Sequence, residues 1–92
     1  MPNKLGMAWY RKEQWDRLLA VSADRQELGG TFEEWSLEAE KNLAKWRAEG
    51  TAIEKVDVDV EELVGWCKSR RLPIDERVRA RFVAEKIRLR DL

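Results

Sequence analysis

Apolar side chains recur with helical spacing between Thr31 and Gly50. They lie within about 80° of one another on a helical wheel and are Phe32, Trp35, Ala39, Leu43 and Trp46. Thr31 and Glu34 have the spacing of a capping box, in which the hydroxyl accepts from the N3 amide and the glutamate bonds back to the cap amide. Gly50 stands where a left-handed residue commonly ends a helix. The pattern therefore predicts a helix over most of this segment.

A similar recurrence precedes it over residues 7–23. Met7, Trp15 and Leu18 share one side of a wheel, which predicts a first helix. Trp9 falls off that side and is expected either to pack at the helix start or to stay partly exposed. A Gly-Gly pair then interrupts the pattern, so the first two helices are expected to form an antiparallel hairpin.

Later in the chain the apolar period changes from 3.6 to 2. Val56 and Val58 alternate with Asp57 and Asp59, which predicts one short strand over about 52–59. Because successive side chains of a strand point to opposite faces, the valines are expected on one face and the aspartates on the other.

Two further helices complete the predicted fold, one directly after the strand and one running nearly to the C-terminus. Asp59 and Asp75 stand at their N-cap positions. The chain is thus predicted to be a single α+β domain over 1–92, mostly α, with a two-helix hairpin, one short strand and two more helices. Residues 1–6 are interpreted as an extension, because Met7 would serve equally well as a start.

The composition removes most catalytic chemistry. The 92 residues contain no histidine and one cysteine, Cys67, which excludes Ser–His and Cys–His nucleophiles and nearly all zinc sites. Cys67 shares the apolar side of its helix and is expected to fill the core. No enzyme activity and no cofactor are predicted. No apolar run approaches the roughly 20 residues of a membrane span, and the lone cysteine without a signal peptide favours the cytoplasm.

The segment from Val56 to Glu62 carries four carboxylates. Asp59, Glu61 and Glu62 are explained by the start of a helix, where a cap and negative charge are favourable. Asp57 remains on the polar face of the strand. A divalent cation held between Asp57 and Asp59 is the alternative interpretation, but no metal site is predicted.

A lone strand raises a pairing problem, because its backbone amides and carbonyls need partners. Residues 4–8 are short and contain a glycine, so they are interpreted as a poor partner. We therefore expect the strand to pair antiparallel with itself in a homodimer, with Lys55 opposite an aspartate of the second copy. The residues assigned to this contact are Lys55, Val56, Asp57 and Val58. An unpaired segment, or pairing with the N-terminus, is the alternative.

The formal net charge is zero, but the charges are segregated along the chain. Residues 26–62 have a net charge of −7 and residues 63–92 a net charge of +5, a polarity suited to a partner or to internal complementarity. The last helix has two apolar sides, one with Phe82 and one with Val83, so one side is expected to meet a sister subunit or another protein. The residues assigned to a partner are Trp9, Arg77, Arg79, Arg81 and Arg88.

Protein–protein association, as a homodimer, is the predicted function. The alternative is nucleic-acid binding by residues 60–92, whose two helices and short turn resemble a helix-turn-helix arrangement in outline. Against it stand the neutral chain and the acidic residues Asp75 and Glu76 in the first turn of the last helix. The five tryptophans are interpreted as core, and the alternative is that some of them line a groove for a partner.

Overall fold

The computed structural model describes residues 4–91. Its strands are β1 (Leu5–Trp9) and β2 (Ile53–Asp57). Its α-helices are α1 (Trp15–Val21), α2 (Phe32–Ala48), α3 (Val60–Arg70) and α4 (Glu76–Arg90), and short 3-10 turns lie at Lys12–Gln14 and Arg25–Leu28. The α+β, mostly helical class and the four helices are confirmed. No helix in the described part of the chain has the length and apolarity needed to cross a membrane.

β1 and β2 pair in parallel, with Leu5 opposite Ile53 and Trp9 opposite Asp57. Parallel strands need a long crossover, and here α1 and α2 supply it. The prediction of a single strand without a partner in its own chain is therefore wrong, and the alternative of pairing with the N-terminus is the one found. The reason for expecting an antiparallel homodimer is removed with it.

Gly6 explains why the N-terminal segment was wrongly interpreted as a poor strand partner. A Cβ at Gly6 would lie 2.7 Å from Val83 Cγ1 and would also clash with Ile87. The glycine is thus needed for the close approach of α4 to the sheet, whereas in sequence it indicates a weak strand.

The predicted first helix is correct only in its second half. Met7 and Trp9 lie in β1, and the α-helix begins at Trp15. Met7 fits the helical wheel by coincidence, since a strand residue and a helix residue can both face the core. Leu5 and Gly6 belong to β1, so the interpretation of residues 1–6 as an extension is wrong for these two; residues 1–3 lie outside the described residues.

The sheet is covered on both faces. Gly6 faces α4, whereas the Trp9 ring faces α2 and lies 5.2 Å from the Trp35 ring. The most deeply buried side chains are Leu18, Leu43, Val58, Val60, Leu63, Cys67, Phe82 and Val83. All except Leu43 belong to one cluster that joins α1, α3 and α4 to the residue after β2. Cys67 is 2% exposed, which confirms its place in the core.

The helix ends follow the predicted side-chain signals. The Thr31 hydroxyl accepts from the Glu34 amide at 3.1 Å, although the Glu34 carboxylate accepts from the Thr31 hydroxyl and not from the cap amide. Gly50 has φ +88°, in the left-handed region. Asp59 accepts from first-turn amides of α3 at 2.9 and 3.3 Å, and Asp75 accepts from an amide of α4 at 3.0 Å. Local hydrogen bonds thus set these boundaries.

Helix α4 lies between the sheet and α3, which accounts for both of its apolar sides. Phe82 makes an edge contact with Trp66 of α3 at 5.5 Å, while Val83 and Ile87 pack on the sheet at Gly6. The expectation that one apolar side meets another molecule is therefore wrong for these residues.

Candidate functional site

A cleft of about 560 Å³ lies beside the sheet, between α2 and α4. Gly6, Met7 and Ala8 of β1 line it, together with Trp35 of α2 and Val83 of α4. The turn Arg25–Leu28 contributes to one end. The free side of β1 thus runs along a partly apolar cleft.

The backbone of β1 is open toward this cleft. The Leu5 amide donates to the Ala52 carbonyl at 2.9 Å, and the Trp9 carbonyl accepts from the Val58 amide at 3.0 Å. Because alternate residues of a strand bond to a given neighbour, Gly6 and Ala8 direct their amides and carbonyls to the other side. Neither residue makes a hydrogen bond outside the ladder within residues 4–91. Such an edge is a template for an added strand.

Four carboxylates give the cleft a negative charge. Glu27, Glu34, Glu38 and Glu76 all line it, and none of them is in an ion pair with another described residue. The basic residue among the lining side chains is Arg79, which is already bonded to an aspartate. The cleft therefore presents uncompensated negative charge beside apolar surface.

Arg79 is buried, which corrects its assignment to a partner surface. Its guanidinium donates twice to Asp24, at 2.8 Å in each bond, and Arg79 is only 5% exposed. Asp24 also accepts from the amide of Glu76 at 3.1 Å. The hydrogen bond from Arg79 holds the pKa of the Asp24 carboxyl below its usual value. This pair fixes α4 to the chain before the turn Arg25–Leu28 and so shapes one end of the cleft.

Trp9 belongs to an aromatic cluster and is half-buried, not a free anchor for a partner. Its ring lies 5.2 Å from the Trp35 ring, and the Lys55 ammonium lies 4.1 Å from its centroid. The cluster as a whole comprises Trp9, Tyr10, Trp15, Phe32 and Trp35. These rings join β1 to α2. The interpretation of the tryptophans as core is confirmed for Trp15, which is buried, whereas Trp46 is exposed at 38% and the other three are half-buried.

The residues assigned to self-association are engaged within the chain. Val56 and Val58 are buried, so neither lies at a contact surface. Lys55 bonds to Glu40 at 2.6 Å. A second copy is therefore not required to satisfy any of these side chains.

The acidic segment is explained by an arginine. The Arg11 guanidinium bonds to Asp57 at 2.5 and 3.1 Å and lies 3.7 Å from Asp59. These hydrogen bonds lower the pKa of Asp57. Within residues 4–91 no group of three or more His, Cys, Asp or Glu side chains converges to hold a metal ion. A guanidinium thus neutralises the aspartates where the alternative interpretation placed a cation.

Arg77, Arg81 and Arg88 lie exposed on α4, on the side of the helix away from the core. The structure therefore separates the assigned arginines: three are at the surface and Arg79 is inside.

The cleft was not predicted from the sequence. One sequence signal for it exists, because Leu5, Met7 and Trp9 alternate with small residues, which is the period of a strand.

Comparison with protein-family models, curated proteins and solved structures gives no match to this chain. Function is therefore inferred from the geometry of the cleft. Its lining includes no serine, cysteine, histidine or lysine, and Cys67 lies elsewhere in the core, where burial raises the pKa of its thiol. The cleft supplies backbone hydrogen-bonding groups, carboxylates and apolar contacts, which are the means of binding a polypeptide.

Proposed function

We propose that this protein is a non-enzymatic binding module that takes an extended, lysine- or arginine-bearing segment of another protein as an added strand on β1. The observation that carries the proposal is the open backbone of Gly6 and Ala8, which faces a cleft between two helices. Main-chain hydrogen bonds give affinity in this mode of recognition, and the pockets for alternate side chains give specificity.

Charge complementarity supports a basic segment as the occupant. The four unpaired carboxylates of the cleft attract a cationic chain and repel an acidic one. Side chains of an added strand would point alternately to α2 and to α4. The α2 wall carries Glu34 and Glu38, whereas the α4 wall carries Ala80 and Val83. We therefore expect basic side chains toward α2 to alternate with apolar side chains toward α4.

The same charges disfavour a homodimer through this edge. A two-fold contact would bring the β1 edges of two copies together, and each edge is flanked by the same carboxylates. Like charges facing each other across a contact are destabilising. A different protein is therefore the better partner for the β1 edge than a second copy.

Two short peptides test the proposal, one alternating valine with lysine and one alternating valine with glutamate. We expect only the lysine peptide to bind and to shift the backbone amide resonances of Gly6 and Ala8. The variant Ala8→Pro removes an amide that points to the open edge and leaves the β1–β2 ladder intact. It should abolish peptide binding.

Lys55→Pro is the matched control, because it removes an amide at the opposite edge of the sheet, on β2. This variant should bind the lysine peptide as the unmodified protein does. Equal binding of both peptides would refute the role of charge, and unchanged binding by Ala8→Pro would refute strand addition at β1.

A further inference from the structure

A second surface, of opposite charge, lies on the solvent side of α4. Arg77, Arg81 and Arg88 fall within about 40° of one another on a helical wheel and are exposed. Arg70, at the end of α3, lies beside them, because its guanidinium and that of Arg81 both lie over the ring of Trp66. We call the surface formed by these four residues the arginine face.

The arginine face carries more positive than negative charge. Glu85 is the acidic residue in contact with it, at 3.7 Å from Arg70 and 3.9 Å from Arg88. Arg77 and Arg81 have no ion-pair partner among residues 4–91. A single carboxylate thus serves two arginines and leaves the other two uncompensated.

Trp66 holds two of these cations close together. The guanidinium carbon of Arg70 lies 4.2 Å from the centre of the indole ring and that of Arg81 lies 5.7 Å from it. The two carbons are therefore at most about 10 Å apart, each attracted to the ring by a cation–π interaction. The Trp66 indole donates to Glu85 at 3.0 Å, which keeps the ring in place. Two like charges held at this separation favour an anion that bridges them.

The spacing along α4 suits a regular polyanion. At a rise of about 1.5 Å per residue, Arg81 lies about 6 Å and Arg88 about 16 Å along the axis from Arg77. We propose that the arginine face binds the phosphate backbone of nucleic acid independently of base sequence. Guanidinium groups are well suited to phosphate, because their planar forks bond two oxygens at once.

Two further observations restrict the class of ligand that the arginine face can bind. Ala84 is the exposed residue among the arginines on this side of α4, and the Trp66 ring beneath them is covered by Arg70 and Arg81 and bonded to Glu85. The arginine face therefore offers no free bulky side chain to insert into a membrane surface.

The start of α4 is docked on its own chain, because the Glu76 amide bonds to Asp24. That amide is therefore not free to bond a nucleic acid, and the carboxylates of Asp75 and Glu76 at the same helix end disfavour contact with bases. Phosphate contacts along the arginine face are the mode of binding that we expect.

Fluorescence anisotropy with a labelled mixed-sequence DNA duplex, titrated with salt, tests the proposal. Four phosphate contacts predict that the affinity falls with salt with a log–log slope of about −3 to −4. The double variant Arg77→Gln/Arg81→Gln should lower the affinity at low salt at least about tenfold and make the slope shallower by about two.

The matched control is Lys41→Gln/Lys45→Gln, which removes the same charge from exposed residues of α2. It should keep most of the affinity and the slope, and the Arg77→Gln/Arg81→Gln variant should still bind the lysine peptide at the cleft. An equal loss in both double variants would refute a localised phosphate surface. The absence of DNA binding at low salt, or tighter binding of polyglutamate than of DNA, would also overturn the proposal.

Discussion

The cleft and the arginine face share α4, yet they present opposite charges and opposite shapes. The cleft is concave, includes an open strand edge and carries four unpaired carboxylates. The arginine face is convex, lies on a solvated side of the helix and carries guanidinium groups arranged around Trp66. A formal net charge of zero thus hides two surfaces suited to different partners. Local charge and shape, not net charge, therefore decide what each side of the helix can bind.

The two surfaces also differ in how they depend on the core. One end of the cleft is shaped by the buried Arg79–Asp24 pair, and its edge strand needs a glycine against α4. The arginines of the other surface lie outside the core. Substitutions in the cleft should therefore change both stability and binding, whereas those on the arginine face should change binding alone.

The largest expected effect is a difference in stability between variants at two arginines of α4, Arg79 and Arg81. Arg79→Ala leaves the Asp24 carboxylate, whose side chain is 13% exposed, without its cation, and we expect a loss of about 3 kcal/mol in the free energy of unfolding. Arg81→Ala should change it by no more than about 0.5 kcal/mol. Denaturant titration followed by circular dichroism measures both. Equal losses would show that burial does not distinguish the two surfaces.

A smaller effect is expected for the glycine beside the cleft. Gly6→Ala places a methyl group against Val83 and should cost about 1–3 kcal/mol through overpacking. Gly65→Ala is the control on α3, where a Cβ meets nothing within 4 Å. It should stabilise the protein by up to about 1 kcal/mol through helix propensity. The same titration measures both variants, and a neutral Gly6→Ala would contradict the close approach of α4 to β1.

The dependence of stability on pH should also reveal the buried pair. Asp24 has a pKa in the folded state below its usual value of 3.8, so its contribution to stability is fully present above the unfolded-state pKa. That contribution is lost as the pH falls through the folded-state value. Between pH 5 and pH 2 the unmodified protein should lose more stability than Asp24→Asn, measured by denaturant titration at each pH. Parallel losses would show that Asp24 contributes nothing to the acid sensitivity.

The smallest effect concerns the arginine face. Arg88→Gln should leave the free energy of unfolding within about 0.5 kcal/mol of its original value. It should make the salt dependence of DNA binding shallower by about one unit of log–log slope. Anisotropy titrations at several salt concentrations measure the slope. A change in stability without a change in slope would show that Arg88 stabilises the folded state and does not contact DNA.

Much of the fold was predictable because local interactions decide it. Thr31, Asp59 and Asp75 cap helices through hydrogen bonds within a few residues, and Gly50 adopts the conformation that its position indicated. A strand was correctly predicted at Val56, although β2 ends at Asp57 and Val58 lies just beyond it. The strand β1 was missed, because its pairing with β2 spans the crossover and Gly6 weakens its local signal.

The candidate site was largely beyond prediction for the same reason. From the sequence, Arg79 was assigned to a partner surface along with Arg77 and Arg81. Only the fold brings Asp24 to Arg79 and turns that side of α4 inward. Likewise, Lys55 was expected to oppose an aspartate of a second copy, but it bonds to Glu40 of α2 in its own chain.

The sequence by itself determined the helices α2, α3 and α4, the strand β2 and their capped ends, because each rests on side chains and amides close together in the chain. The tertiary structure alone decided that β1 pairs with β2, that its other edge lies open in an acidic cleft, and that one arginine of α4 is buried while the other four are exposed. Those features depend on contacts between residues far apart in the chain, and no local pattern encodes which distant segment supplies the partner.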